Sequence, residues 1–453
     1  MDHHRPSDGH ITLGMVRIKT NASRPLGNLI VNPGGPGSSP VSLLIREKRD
    51  ELVSLNLTFH YNIIAPDPRG VGISHPVKCD ASLAHRRVSS YIANQSDFDK
   101  LVARNKALGE SCAQLTGPAL NFLDTVSAAK DLDLIRQALG DEKLNFMGFS
   151  YGTQLGSQYA ELFPERVGRM VLDGVLDHSQ NDIDGLMTET VTLENSFDRF
   201  CSWCNGTSRC VFHGQNLPAI FDAMVNQANE KPIPAPGCRS VHEATAGGGQ
   251  ACRSDVTGYE LISNMQSSLT EQARWTSLSE ALLEARDGNA TRLSSRFLVS
   301  NPSPLAESGN EFAHTAISCQ DWRRGDGKRG GADMLAELLA ARAMAPHTRG
   351  INEMFDIKTS CVGWPTPLTN PPRALCRQRL ARAPPILVAS ALHDPSTSIA
   401  WAVGLRAQMP TAVSIFRNGY GHTSYWDYGD MQKAIDAFFV EGTQPADLTA
   451  YAS

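Results

Sequence analysis

Apolar positions along the first part of the chain switch repeatedly between two periods. Runs that alternate, or stay apolar throughout, predict strands at Ile11–Lys19, Asn28–Val31, Leu57–Ala65, Lys143–Met147 and Val167–Leu172. Between them, Val126, Ala129, Leu132, Ile135 and Leu139 recur every three or four positions. This predicts a helix over Thr125–Leu139, capped by Asp124 or Thr125 and ended by Gly140. A second helix is predicted over Thr153–Phe163, stopped by Pro164. Strands alternating with helices imply a parallel sheet with right-handed crossovers, and so an α/β core. That regularity breaks from about Asp177 to Arg382, where the chain is helix-leaning, loop-rich and rich in cysteine. It resumes at Pro385–Ala391, Ser398–Gln408, Val413–Phe416 and Met431–Phe439. A core that pauses and then finishes predicts one α/β unit over 1–177 and 383–453, interrupted by a cap insertion over 178–382. Two independent domains in series would leave the first sheet without its last strands.

Composition adds exclusions. The chain has 453 residues, 41% of them hydrophobic, with 42 Lys+Arg against 47 Asp+Glu for a net charge of −5. A mildly acidic balance without a basic tract argues against nucleic-acid and anionic-membrane partners. The longest apolar run, Ile386–Leu392, is far short of the ~18 residues of a membrane span and suits a buried strand. Met1-Asp2-His3-His4-Arg5-Pro6 is polar, so no signal peptide is read at the start. Ten cysteines, an even number, suit a disulfide-bearing secreted protein, against the alternative of reduced buried thiols in a cytosolic enzyme. Cys201-x-x-Cys204 has no second CxxC or histidine pair to complete a metal site, so no metal is expected. Of the five Asn-x-Ser/Thr sequons, at Asn21, Asn56, Asn94, Asn205 and Asn289, about three would arise by chance, so they add little.

The chemistry concentrates at predicted strand ends. Gly148-Phe149-Ser150-Tyr151-Gly152 lies between a strand and a helix. So tight a turn strains its central residue and lifts the Ser150 hydroxyl to a helix N-terminus, where it can act as a nucleophile. A serine needs a base and a carboxylate to orient that base. Asp394 follows the strand Ile386–Leu392, and His422 follows Val413–Phe416 in the glycine-flanked loop Gly419-Tyr420-Gly421. Ser150, Asp394 and His422 therefore stand in the order nucleophile, acid, base. His393 is rejected as the base because neighbours in an extended strand point apart. Asn32-Pro33-Gly34-Gly35-Pro36-Gly37 follows an early strand and can supply an oxyanion hole, whose donors are assigned to the backbone N–H groups of Gly35 and Tyr151. Asp67, Arg69 and Asp173 read as groups that fix loops beside the site.

Together Asn32–Gly37, Asp67-x-Arg69-Gly70-x-Gly72-x-Ser74, Gly148–Gly152 and Gly419–His422 resemble the prolyl iminopeptidase and tripeptidyl aminopeptidase family of α/β-hydrolases. The Asn-Pro-Gly-Gly-Pro-Gly form and Ala316-Ile317-Ser318-Cys319-Gln320-Asp321 resemble its tripeptidyl aminopeptidase-like branch. The resemblance covers roughly residues 11–178 and 384–440. Where the family's acid motif usually has Thr-Pro, this chain has Thr397-Ser398. The resemblance implies an α/β-hydrolase fold, a mostly parallel doubly wound sheet with a large, mainly helical cap. It implies a serine exopeptidase that releases residues or short peptides from a free amino terminus, without cofactor. An esterase, lactonase or thioesterase acting on a small metabolite is the alternative, since the same groups serve any acyl substrate. An aminopeptidase must recognise an α-ammonium, for which Glu311 and Asp321 are the candidate carboxylates in the insertion. Asp2–Pro6 resembles the middle of a segment that opens relatives, so a missing upstream region is expected. With a signal segment there the protein would be secreted, and otherwise cytoplasmic.

Overall fold

The computed structural model describes residues 1–46, 52–240, 251–297, 310–322 and 330–452. Eight strands form one sheet: β1 Met15–Ile18, β2 Asn28–Asn32, β3 Asn62–Pro66, β4 Leu144–Phe149, β5 Val167–Asp173, β6 Ile386–His393, β7 Ala412–Tyr420 and β8 Thr449–Ala452. Their order is β1-β3-β2-β4-β5-β6-β7-β8, with β1 antiparallel to β3 and the other pairs parallel. Strands of a sheet covered on both faces read as continuous apolar runs, because alternate residues enter different layers. In β2, Ile30 packs with Leu132, Leu155 and Leu405 on one side, while Leu29 and Val31 pack with Leu57, Ile435 and Phe439 on the other. The first layer holds α2 Thr125–Ala138, α3 Tyr151–Leu162 and α11 Ile399–Gln408; the second holds α12 Asp430–Val440. A long helix, α1 Gln95–Thr116, precedes α2.

Between β5 and β6 the chain builds helices α4 Asp182–Gly206, α5 Leu217–Glu230, α6 Gly258–Leu269, α7 Trp275–Arg286, α8 Asn310–Asp321, α9 Gly331–Met344 and α10 Glu353–Cys361. They share an apolar cluster with Phe197, Phe221, Met265 and Trp275, which also takes in Tyr151 and Trp401 and so reaches the sheet's C-terminal edge. Disulfides join Cys79–Cys112, Cys204–Cys210, Cys238–Cys252 and Cys319–Cys361; Cys201 and Cys376 are free. Cys204 thus pairs with Cys210 and not with its CxxC neighbour. Among the described residues, no helix is long and apolar enough to cross a membrane.

One expected strand is corrected. Within Leu57–Ala65, only Asn62–Pro66 is extended, and Leu55–His60 is a short helix. The alternation Leu55, Leu57, Phe59 imitates a strand, but the Ser54 hydroxyl accepts from Leu57 N and caps a helical turn. Leu57 alone is buried, leaving Leu55 65% and Phe59 55% exposed.

Candidate active site

Ser150 is the first residue past β4 and caps α3, with φ +54°. A non-glycine residue there is strained, and the surroundings hold it: Ser150 N–H donates to Asp173 O (2.9 Å), and Ser150 O accepts from Thr153 N (2.8 Å) and Thr153 Oγ1 (2.6 Å). The flanking glycines are dictated by space. A Cβ at Gly148 would lie 2.4 Å from Gly152 O, and one at Gly152 would lie 2.7 Å from Asn32 O. The same closeness brings the loop after β2 onto the nucleophile, since a Cβ at Gly34 would meet Ser150 Cβ at 2.9 Å and Tyr151 N at 3.0 Å. Gly34 N–H is taken by Asn32 Oδ1 (3.0 Å), whereas Gly35 N–H and Tyr151 N–H find no acceptor among the described residues.

Asp394 and His422 meet beyond the ends of β6 and β7. His422 Nδ1 lies 2.9 Å from both Asp394 oxygens and 3.3 Å from Thr397 Oγ1. The carboxylate also accepts from Ser396 N, Thr397 N and Thr397 Oγ1 (2.8 Å each) and from Thr423 N (2.9 Å). Burial pushes the Asp394 carboxyl up, but His422 and these donors outweigh it and hold it below its ordinary value. Burial likewise depresses His422, yet Asp394, with Glu353 and Asp173, carries it up to about 9. The His422 backbone is held by the cap, its N–H donating to Thr270 O (2.7 Å). The ring borders Gly174, directly after the strand end that binds Ser150 N: a Cβ there would stand 3.3 Å from His422 Cε1. No hydrogen bond joins Ser150 to His422 among the described residues. In unliganded sites such bonds are often long and tighten in the substrate complex.

Asp67, Arg69 and Asp173 fix loops. Asp67 accepts from Ser39 Oγ (2.6 Å), Val41 N and Ile73 N, Arg69 makes a two-pronged pair with Asp131 (2.6 Å each), and Asp173 Oδ2 accepts from Ser424 N and Tyr425 N (2.8 Å each). His393 stacks on Tyr420 at 5.3 Å instead of engaging the acid.

Ser150, Gly35 and Tyr151 line a narrow cavity of about 20 Å³, room for a single water, together with Glu189, His314, Glu353 and Ser396. Glu189 lies on α4 and Glu353 opens α10. Glu189 accepts from Met354 N (2.7 Å), Glu353 N (3.2 Å) and Gln266 Nε2 (3.3 Å), and Glu353 accepts from Ser396 Oγ (2.8 Å). Burial, then the neighbouring Glu353, raises the Glu189 carboxyl well above its ordinary value. His314 Nδ1 donates to Pro36 O (3.2 Å), tying α8 to the loop after β2.

These carboxylates escaped the sequence reading. Of the two candidates that reading offered, the Glu311 side chain is outside the described residues, and Asp321 does not line the cavity. Asp321 is fully buried and accepts from Thr125 N (3.0 Å), Thr125 Oγ1 and Asn370 Nδ2 (2.7 Å), and burial carries its carboxyl up to about 7. One signal was available: Leu186, Leu193 and Phe197 form the buried stripe of α4, and Glu189 falls on it.

The family model described as "alpha/beta hydrolase fold" matches residues 27–216, and the one described as "TAP-like protein" matches residues 350–450. The chain has the α/β-hydrolase fold. It is 28% identical to the serine protease Hip1 of Mycobacterium tuberculosis over 98% of this chain and 84% of that protein. It is 29% identical to the tripeptidyl aminopeptidase of Streptomyces lividans, over 89% and 73%. Carboxylesterase B of Mycobacterium tuberculosis is 27% identical, over 98% and 83%. With these relatives this α/β hydrolase is a serine hydrolase.

Proposed function

We propose that this α/β hydrolase is a peptidase that removes residues or short peptides from a free amino terminus through an acyl-enzyme at Ser150. In this reading Ser150 Oγ attacks the scissile carbonyl carbon as His422 Nε2 takes its proton. Asp394 holds the Nδ1–H tautomer and stabilises the imidazolium. The oxyanion is held by Gly35 N–H and Tyr151 N–H, both without another acceptor among the described residues. His422 then protonates the departing amine, and a water activated by the same ring releases the acyl group.

The observation that carries the amino-terminal part is the pair of carboxylates that line the cavity beside Ser150, the buried Glu189 and the exposed Glu353. Glu189 is held out of water with the Glu353 carboxylate beside it, and an α-ammonium between them relieves that repulsion by charge-assisted hydrogen bonds. Glu189 is largely spent on the N-terminus of α10, so Glu353 is the primary partner. Because the cavity admits only a water, the peptide enters as cap and core part around it. The Streptomyces tripeptidyl aminopeptidase supports this reading, while the carboxylesterase B relative favours the alternative of a small-ester hydrolase.

Paired peptide anilides, one with a free and one with an acetylated amino terminus, separate the two. Turnover of the free anilide alone, with KM raised tenfold or more by Glu353→Gln, is the expected result. Equal cleavage of both, or esters hydrolysed far faster than any peptide, would reject the exopeptidase.

A further inference from the structure

A cavity of about 890 Å³ lies apart from Ser150, behind α10. Glu353, Met354 and Ile357 face the narrow cavity beside the nucleophile, whereas Phe355 and Asp356 face this larger one. Its floor is the segment 84–93 with Arg104 of α1, and its walls are α6, α9 and residues 295–297. A volume in this range suits a small molecule.

Its charge runs against the rest of the protein. Six arginines line it (Arg86, Arg87, Arg104, Arg253, Arg296 and Arg342) against two carboxylates, Glu260 and Asp356, in a chain of net charge −5. Glu260 is already engaged by Arg87 (3.0 Å) and Arg253 (3.4 Å). Arg104 has no ion pair or hydrogen bond with the described residues, its Nε is buried without a partner, and it feels the positive charge of Arg253. Arg342 stands near Tyr91, whose buried hydroxyl has no hydrogen-bond partner among the described residues. Tyr91 and Tyr259 stack at 4.4 Å, with Phe355 6.0 Å from Tyr91, giving a flat apolar wall beside the cations. Arg87 and Arg253 are held by Asp255, Glu260 and His85 O, which leaves Arg104, with Arg86 and Arg342 at the rim, to turn planar forks that match carboxylate and phosphate oxygens toward a ligand.

We propose that this cavity binds a small oligoanion, a molecule with two or more carboxylate or phosphate groups whose flat or apolar part rests on Tyr91 and Tyr259. The site is separate from the cavity at Ser150, and α10, shared by both, is the element through which occupancy would be felt there.

Calorimetric titration and thermal unfolding of the full chain, wild type and Arg104→Met, test the site. The probes are sodium pyrophosphate and trisodium citrate, each against sodium chloride of equal ionic strength, and the better of the two assigns phosphate or carboxylate as the anionic group. Saturable binding with one site per chain is expected, together with a melting point raised by roughly 3 °C at a hundredfold excess over Kd. Arg104→Met should weaken binding at least tenfold. Without the anion it should melt no lower than wild type, because it removes an unpaired charge. Arg342→Gln, at an exposed position, repeats the comparison without a buried substitution. Heats no larger than those of sodium chloride, or an equal melting-point rise in wild type and both variants, would overturn the proposal.

Discussion

At the scale of single residues, the electrostatics of His422 set a test of the proposed chemistry. A base must be neutral to accept the serine proton, and Asp394, Glu353 and Asp173 hold the His422 imidazolium up to about 9 against the opposing effect of burial. The neutral form therefore grows as pH rises toward 9. For a small ester without an amine, kcat/KM should climb across that interval, well above the ordinary imidazole value of about 6.5. Glu353→Gln removes one of the three carboxylates and should move the acid limb to lower pH. In the enzyme–substrate complex a free peptide amine seated on Glu353 should do the same to wild type, so the acid limb of kcat would lie lower for the amine substrate than for the ester. Full pH profiles of both substrates on both proteins check this, and coincident limbs would remove Glu353 from the account. Ser150, Asp394 and His422 were legible as a set because each follows an apolar run at a strand end. Glu353 was not, since a glutamate in the first turn of a helix is commonplace and only folding turns this one toward Ser150.

At the scale of elements, buried polar ties join the cap to the core. Asp321 at the end of α8 accepts from Thr125 at the start of α2 and from Asn370, and Thr125 Oγ1 lies 2.6 Å from the Tyr151 hydroxyl. Asp321→Ala strands these donors and should destabilise the protein by about 3 kcal/mol, read from the urea midpoint. Its KM for a free-amine anilide should change much less than that of Glu353→Gln. Local sequence misled where an element's period and its environment disagree. Leu55, Leu57 and Phe59 alternate as a strand would, but the Ser54 cap and the burial of Leu57 alone make a helix. β2 and β6 were legible because both of their faces are covered, so Leu29–Val31 and Ile386–Ala389 run apolar without alternation.

At the scale of the whole molecule, the two parts of the chain are stabilised differently. The sheet rests on two apolar layers, whereas the cap shares its cluster with loops and carries the bridges Cys204–Cys210, Cys238–Cys252 and Cys319–Cys361. Cys319 and Cys361 are 42 positions apart, a closure worth about 4 kcal/mol through the entropy of the unfolded chain. Cys319→Ser/Cys361→Ser should therefore lower the melting point and make α8 and α10 early sites of proteolysis, with the sheet cut later; mass spectrometry of timed digests checks the order. By itself, the sequence determined the alternating core, its interruption and the strand-end groups at Ser150, Asp394 and His422. These are written in local periodicity and tight turns, which act over a few residues. Only the tertiary structure decided which carboxylates face the nucleophile and which arginines converge behind α10. Those groups come from helices distant along the chain, and no local rule couples the face one helix presents to the face of another.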